Sequence, residues 1–421
     1  MLHALQRDTF AYLLDQGNPV NGLVADTTAD GAPASIAVVG FALAAYPVGV
    51  ERGFCSRAWA AERTLTTLQF FWNSPQGVEP DATGYNGFYY HFLHMQTGRR
   101  VWESELSTVD STYLLAGMLT AAVYFDGDTD DEAQIRALAD ALYRRVDWRW
   151  AQNGGATVTH GWRPESGFLP YRWQGYDEAL LLYVLGLGSP TCPLPTESYT
   201  AWTSTFAWSS LYGHELLHAG PLFIHQFSQL WIDCRGIQDA FMREKRIDYF
   251  ENSRRATYVQ QAYAVQNPFG FVGYGESAWG LTASDGPGPD LRNIDGVERE
   301  FFGYRARGVP NGPDDGTLAP WGIIASLPFA PEIALPAIRH CQEVYPQTRT
   351  SYGFIGSFNP TYPSTSDDGS GWICPVHLAL NQGPNVSMIE NYRTGFPWKL
   401  MRGSAYIVAG LRRAGFTNGW L

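Results

Sequence analysis

Charge is scarce in this sequence, and positive charge scarcest. Asp, Glu, Lys and Arg make up 17% of 421 residues, with 29 Lys and Arg against 41 Asp and Glu for a net charge of −12. That balance disfavours nucleic acid or an anionic membrane as partner and suits a neutral ligand such as carbohydrate. Cysteine is sparse too. Cys55, Cys192, Cys234, Cys341 and Cys374 are odd in number and never close neighbours, which argues against a disulfide framework and predicts free, mostly buried thiols. No run of roughly 18 apolar residues occurs, so no membrane-spanning helix is expected. The opening Met1-Leu2-His3-Ala4 lacks a basic-then-apolar leader, so the expected location is cytoplasmic, or periplasmic or secreted if a leader has been removed. A Gly-x-Ser-x-Gly elbow, a phosphate loop and a dinucleotide fingerprint are all missing, and no cofactor is expected.

Aromatic residues, in contrast, reach 14%, more than a core alone is expected to use, so some should line a groove. Helices are predicted over Thr9 to Gly17, Ser35 to Tyr46 with a stop near Pro47, Ala58 to Trp72, Val109 to Phe125 and Asp131 to Trp150. Ser35 to Tyr46 is almost wholly apolar, and Ala58 to Trp72 and Val109 to Phe125 are both too apolar for surface helices. Asp131 to Trp150 instead carries Leu138, Ala141, Leu142 and Val146 on one stripe and Asp140, Arg144 and Arg145 elsewhere, as a helix with one wet face does. Alternation of buried and half-wet helices is what a double ring of helix hairpins requires, so the expected class is all-α, an α/α barrel (toroid). The Gly/Pro/aromatic stretches from Gly154 to Gly175, Asn267 to Pro289 and Asn359 to Trp372 would cover one rim as long loops and carry the chemistry. No linker or repeat divides residues 1–421, which predicts one domain.

The most informative stretch is Trp173-Gln174-Gly175-Tyr176-Asp177-Glu178, followed by an apolar run from Ala179 to Leu187. Gly175 breaks the chain, Asp177 and Glu178 are placed in the first turn, and a buried helix follows, its charged end at a cavity. Two acids in a first turn can merely complement the helix dipole, but the Arg and aromatic flank of Tyr171-Arg172-Trp173 favours a site. Glu178 is the candidate general acid, and a second buried carboxylate would raise its pKa as that role requires. Paired carboxylates are the usual device of glycoside hydrolysis. Candidates for the second are Asp110, Glu103, Glu390 and Asp285. If the chain is helical from Glu103, Glu103 and Asp110 share a face; if Ser107 is an N-cap, Asp110 sits at N3 as in a capping box. Trp102, Tyr176, His225, Gln226, Glu251, Asn252, Arg254, Tyr274, Glu276, Trp279, Asp285 and Arg393 are candidate substrate contacts, since rings stack on pyranose faces while amides, carboxylates and guanidinium groups bind hydroxyls. The structural alternatives are that Arg254 and Arg255 form ion pairs, that Trp279 is core, and that His225 is a satisfied core histidine.

One rival is His214-Glu215-Leu216-Leu217-His218, which matches a zinc protease pattern needing both histidines on one helix. Gly213 before it and Gly220-Pro221 after it leave little room for a helix, so no metal is expected there.

Taken together, the motifs resemble the bacterial glucoamylase-like glycoside hydrolases that include endo-β-1,2-glucanases and the related domain of cyclic β-1,2-glucan synthases. The likeness spans nearly the whole chain. It rests on Asn21-Gly22-Leu23-Val24, Gly87-Phe88-Tyr89-Tyr90-His91-Phe92, Glu105-Leu106-Ser107-Thr108-Val109-Asp110, Gly175-Tyr176-Asp177-Glu178-Ala179, Gly220 to Gln226, Glu251-Asn252-Ser253-Arg254, Trp279 to Gly286 and Glu390 to Gly395. The resemblance implies an (α/α)6 barrel with a rim cleft and a metal-free enzyme hydrolysing β-1,2-linked glucose chains, endo-acting and with inversion. It carries the acid to Glu178 and other cleft acids to Glu103 and Asp110. Alternatives are an exo-acting enzyme, a retaining transglycosylase, an α-glucan hydrolase and a non-catalytic glycan-binding protein.

Overall fold

The computed structural model describes residues 1–363 and 369–421; the segment from Asn359 to Trp372, read above as a rim loop, lies partly outside them. Six helices, Ile36–Glu51, Thr108–Tyr124, Leu180–Gly188, Phe223–Trp231, Pro320–Ala325 and Ala379–Arg393, form an inner ring, and the last packs back on the first. Leu2–Asp15, Arg57–Asn73, Asp130–Arg144, Tyr249–Gln266, Pro331–Val344 and Ala405–Arg413 back them from outside. This is an (α/α)6 barrel. The sequence explains which helix goes where. Every residue from Ile36 to Gly49 and from Leu180 to Gly188 is buried, as an inner helix with neighbours on both sides demands. In Asp130–Arg144 only Glu132, Ile135, Ala139, Leu142 and Tyr143 are buried. Ala58 to Trp72, expected to be too apolar for the surface, lies in the outer helix Arg57–Asn73, where Ala60, Ala61, Thr64, Thr67, Leu68 and Phe71 are buried on one side and the opposite side faces outward.

Two glycines set the closest inner contact. A Cβ on Gly40 would lie 2.2 Å from the Tyr113 carbonyl oxygen, and one on Gly117 would lie 2.1 Å from that of Gly40, so the two helices touch backbone to backbone. Aromatic rings fill the barrel axis from three inner helices. Phe41, Tyr113 and Trp231 stack at centroid distances of 5.3 to 5.7 Å, with Phe227 edge-on to Phe41 at 5.2 Å. Part of the aromatic surplus is therefore a plug beneath the rim.

Several helix ends differ from the sequence reading. The first helix begins at Leu2, burying Leu5 and Gln6. The second runs through Pro47 to Glu51, because burial on all sides holds the turn that proline weakens. The helix predicted to Trp150 stops at Arg144. Asp177 and Glu178 precede the helix that starts at Leu180 rather than occupying its first turn. The Asp177 carboxylate accepts from the Ala179 N–H at 3.0 Å, holding the turn that enters the helix.

The inner helices point their N-termini at one rim. There a small antiparallel sheet joins Gly84–Tyr85, Phe88–Tyr90, Leu106–Ser107, Gly161–Arg163 and Gly167–Phe168 in that order. The His214–Leu217 segment is a strand paired with Trp208–Leu211, so His214 and His218 are four residues apart in extended chain, roughly 13 Å, and cannot share a helix face. This excludes the zinc protease arrangement. All five cysteines are free, with Cys234, Cys341 and Cys374 buried. Among the described residues no helix is long and apolar enough to cross a membrane.

Candidate active site

Register places the site residues. Tyr89 pairs with Ser107 and Tyr90 with Leu106, which sets His91 beside Glu105; the His91 N–H donates to the Glu105 carbonyl at 2.9 Å. On the other side Ser35, the residue just before Ile36–Glu51, pairs with Phe92. Ser107 is the N-cap of Thr108–Tyr124, its Oγ accepting from the Asp110 N–H at 3.2 Å and donating to the Asp110 carboxylate. Capping and site membership thus coincide at Asp110.

These side chains meet in a cavity of about 530 Å³ lined by Asp26, Ser35, His91, Phe92, Asp110, Tyr113, Glu178, Phe223, Phe227, Asp285 and Tyr304, among others. Its wall carries four carboxyls. Tyr113 Oη donates to Glu178 Oε2 at 2.9 Å, and Ser228 Oγ donates to the Glu178 carbonyl at 3.0 Å, fixing both ends of the residue. Burial, with the Asp110 and Asp177 charges, pushes the Glu178 pKa up to about 8 against the pull of the Tyr113 hydroxyl. Burial raises Asp177 to about 7 and Asp26 to about 6, and it raises Asp285 above the usual range.

His91 is the cavity's cation. Its Nδ1 lies 2.9 Å from Glu105 Oε1 and 3.7 Å from Asp110 Oδ2. Burial opposes its charge, but Asp110, Glu105 and Asp26 outweigh it and carry the pKa up to about 9. The His91, Glu105 and Asp110 donor atoms lie within 4.8 Å of one another, close enough for a small cation. An imidazolium bridging two carboxylates already balances that charge. Tyr304, 53% exposed, hangs over the cavity that Glu178, Asp26, Asp285 and Asp110 also line. Its loop is tied down by the fully buried Arg307–Asp315 pair, since Arg307 also donates to the carbonyls of Ser284, Phe302 and Gly303.

Of the residues singled out from sequence, Glu178, Asp110 and Asp285 line this cavity. Glu103 does not: it is exposed, in a turn with φ +48°, because the helix begins only at Thr108. Glu390 is buried near the C-terminal end of Ala379–Arg393, opposite the rim, where Arg52 holds it in two hydrogen bonds and Gln6 and Thr394 add two more. Arg393 donates to Gln6 at the same end. Trp102 is exposed and packs on Phe92, with ring centroids 5.2 Å apart.

The remaining candidates have structural partners. Gln226 donates to the Gly322 carbonyl and Ser326, Asn252 pairs with the backbone of Leu217, and Trp279 is fully buried. Glu251 pairs with Arg255 and Arg254 with Glu332. Tyr274 donates to Asp314, and exposed Glu276 contributes its carbonyl to Gln261. His225 is buried against the Ala219 carbonyl, its pKa pushed down to about 3 by burial and His218, and Tyr176 packs on it, with ring centroids 5.1 Å apart. Asp26, His91, Tyr113 and Tyr304 were not on the list. His91 left a signal inside the Gly87 to Phe92 motif, and Asp26 as the acid in the loop between the first two predicted helices.

A closed double ring of helices with a carboxylate-walled cavity at the N-terminal rim is an (α/α)6 barrel that holds the kind of paired acids glycoside hydrolysis uses. Residues 170–405 match the family described as "Putative glucoamylase". The chain belongs to that family. A structure described as a putative glucoamylase from Bacteroides uniformis is 32% identical, with a TM-score of 0.87 over 100% of this chain and 98% of that one. An endo-β-1,2-glucanase from Chitinophaga pinensis, solved with sophorotriose and glucose, is 27% identical, with a TM-score of 0.86 over 100% and 98%. An exo β-1,2-glucooligosaccharide sophorohydrolase (non-reducing end) from Parabacteroides distasonis is 28% identical across 98% of this chain. The chain spans 57% of that relative's length.

Proposed function

We propose that the protein hydrolyses β-1,2-linked glucan, cutting within the chain and inverting the anomeric centre. The observation that carries this reading is Glu178: a carboxyl held by Tyr113 in a ring of other carboxyls, its pKa near 8, and so protonated at neutral pH. Glu178 gives its proton to the glycosidic oxygen as the bond to the anomeric carbon breaks. Asp110, anchored by Ser107 and faced by the His91 charge, takes a proton from the water that attacks the opposite face. The substrate follows from the relatives from Chitinophaga pinensis and Parabacteroides distasonis, both named for β-1,2-linked glucose chains. The second of these favours an alternative, release of disaccharide from the non-reducing end.

The test is reducing-end release and product size from linear β-1,2-glucan, beside soluble starch and a β-1,3-glucan. Mixed short products from β-1,2-glucan alone are expected, with Glu178→Gln slower by roughly 10² to 10⁴. Disaccharide as the sole product would move the reading to the exo mode. Cleavage of starch instead, or a Glu178→Gln protein as fast as wild type, would overturn it.

A further inference from the structure

Beside the active-site cavity lies a second one, of about 640 Å³, that the mechanism above does not use. Thr27 lines both, and the Phe92 ring that walls the first packs against Trp102, which walls the second. Its lining is polar and neutral to acidic: Thr28, Asp30, His94 and Gln96 surround the Trp102 indole. Trp102 is 70% exposed and presents its ring to this cavity. It is also held in the left-handed region at φ +58°, followed by Glu103 at φ +48°, although neither is glycine. Side chains disfavour that conformation, and such outliers mark functional positions.

We propose that this second cavity binds the continuation of the substrate chain, with the Trp102 indole as the stacking platform for a glucosyl unit beyond those in the catalytic cavity. The inference rests on the glucan reading given above. The occupant is fixed by continuity and chemistry: what leaves the first cavity past Thr27 and Phe92 is a neutral polyhydroxylated chain. A flat ring with nearby carboxylate, amide and hydroxyl groups is what such a chain requires. It follows that the enzyme prefers chains long enough to reach Trp102.

The test compares kcat/KM for a series of linear β-1,2-glucooligosaccharides of increasing length in wild type, Trp102→Ala and Trp102→Tyr. In parallel, the affinity of the same series is measured by calorimetry for Glu178→Gln with and without Trp102→Ala. Wild type should improve as chains lengthen. Trp102→Ala should lose about tenfold on long chains and far less on the shortest cleaved one, and Trp102→Tyr should recover most of the loss. An equal loss at every length, or none at any, overturns the inference while leaving the hydrolase reading intact. If nothing is hydrolysed but long chains still bind in a Trp102-dependent way, the second cavity stands as a glycan site and the catalytic reading falls.

Discussion

The Tyr113 hydroxyl and the Glu178 carboxyl are joined by a 2.9 Å hydrogen bond just above the aromatic plug of the barrel. The donor favours the charged form of Glu178, and so works against the burial and the Asp110 charge that lift its pKa to about 8. If Glu178 must be protonated to act, kcat/KM should fall as pH rises through about 8. Tyr113→Phe removes the donor, so the basic limb should move upward, by about one unit for a hydrogen bond to a charged group. A pH–rate profile of the two proteins checks this; a limb that stays in place or moves down would mean that Glu178 does not set it.

The same carboxyl should cost stability at neutral pH. Glu178 and Asp177 have folded pKa values of about 8 and 7 against ordinary values of 4.5 and 3.8. Between those limits the unfolded chain ionises while the native protein holds its protons. Their stabilising contribution is therefore full below the ordinary values and is lost as pH rises through 7 to 8. Thermal melts from pH 5 to 8.5 should show Tm falling less steeply for Glu178→Gln than for wild type. Parallel curves would contradict the assignment.

His91 has the opposite sense. Its pKa, raised from 6.5 to about 9 by carboxylates that outweigh burial, makes its imidazolium a stabilising group below the ordinary value and loses that contribution as pH rises through 9. His91→Gln keeps a hydrogen-bond donor but removes the charge, leaving Glu105 and Asp110 facing each other unneutralised. The variant should lose stability at pH 6 and little at pH 9.5, and its kcat/KM should fall by about tenfold or more as Asp110 loses its positive neighbour. Equal Tm losses at both pH values would assign His91 a packing role only.

How far the site was legible follows from what kind of segment each residue comes from. The inner helices declared themselves because a helix packed on both sides must be apolar all round, as Leu180–Gly188 is. Glu178 stood out as a carboxyl at the mouth of such a helix, and Asp110 through its spacing from the N-cap Ser107. His91 reaches the cavity through sheet register, Asp26 through a loop whose carbonyl accepts from the Ala379 N–H, and Tyr304 through a loop clamped by Arg307 and Asp315. Those placements depend on sheet register, on loop closure and, for Asp26, on a partner toward the other end of the chain, none of which local pattern encodes. Glu390 misled for a related reason. An acid on a buried inner helix reads the same at either end, and only the direction of the helix decides whether it faces the rim.

Glu390 accordingly gives a clean separation of stability from activity. It is 1% exposed and gathers Arg52, Gln6 and Thr394 around its carboxylate, tying Leu2–Asp15 and Ile36–Glu51 to the end of Ala379–Arg393. Burial alone would raise its pKa, but Arg52 and the neighbouring donors hold it below the usual range, so its contribution is present near neutrality and lost as pH falls through that lowered value. Glu390→Gln leaves the Arg52 guanidinium without its counter-charge and should cost about 3 kcal/mol, the low end for a broken buried pair because Arg52 is 21% exposed. Denaturant unfolding at pH 7 should show that loss, while kcat/KM at a temperature where the variant is folded should match wild type. A fall in kcat/KM as large as that of Glu178→Gln, with stability unchanged, would return Glu390 to the catalytic candidates and contradict the placement of the site at the N-terminal rim.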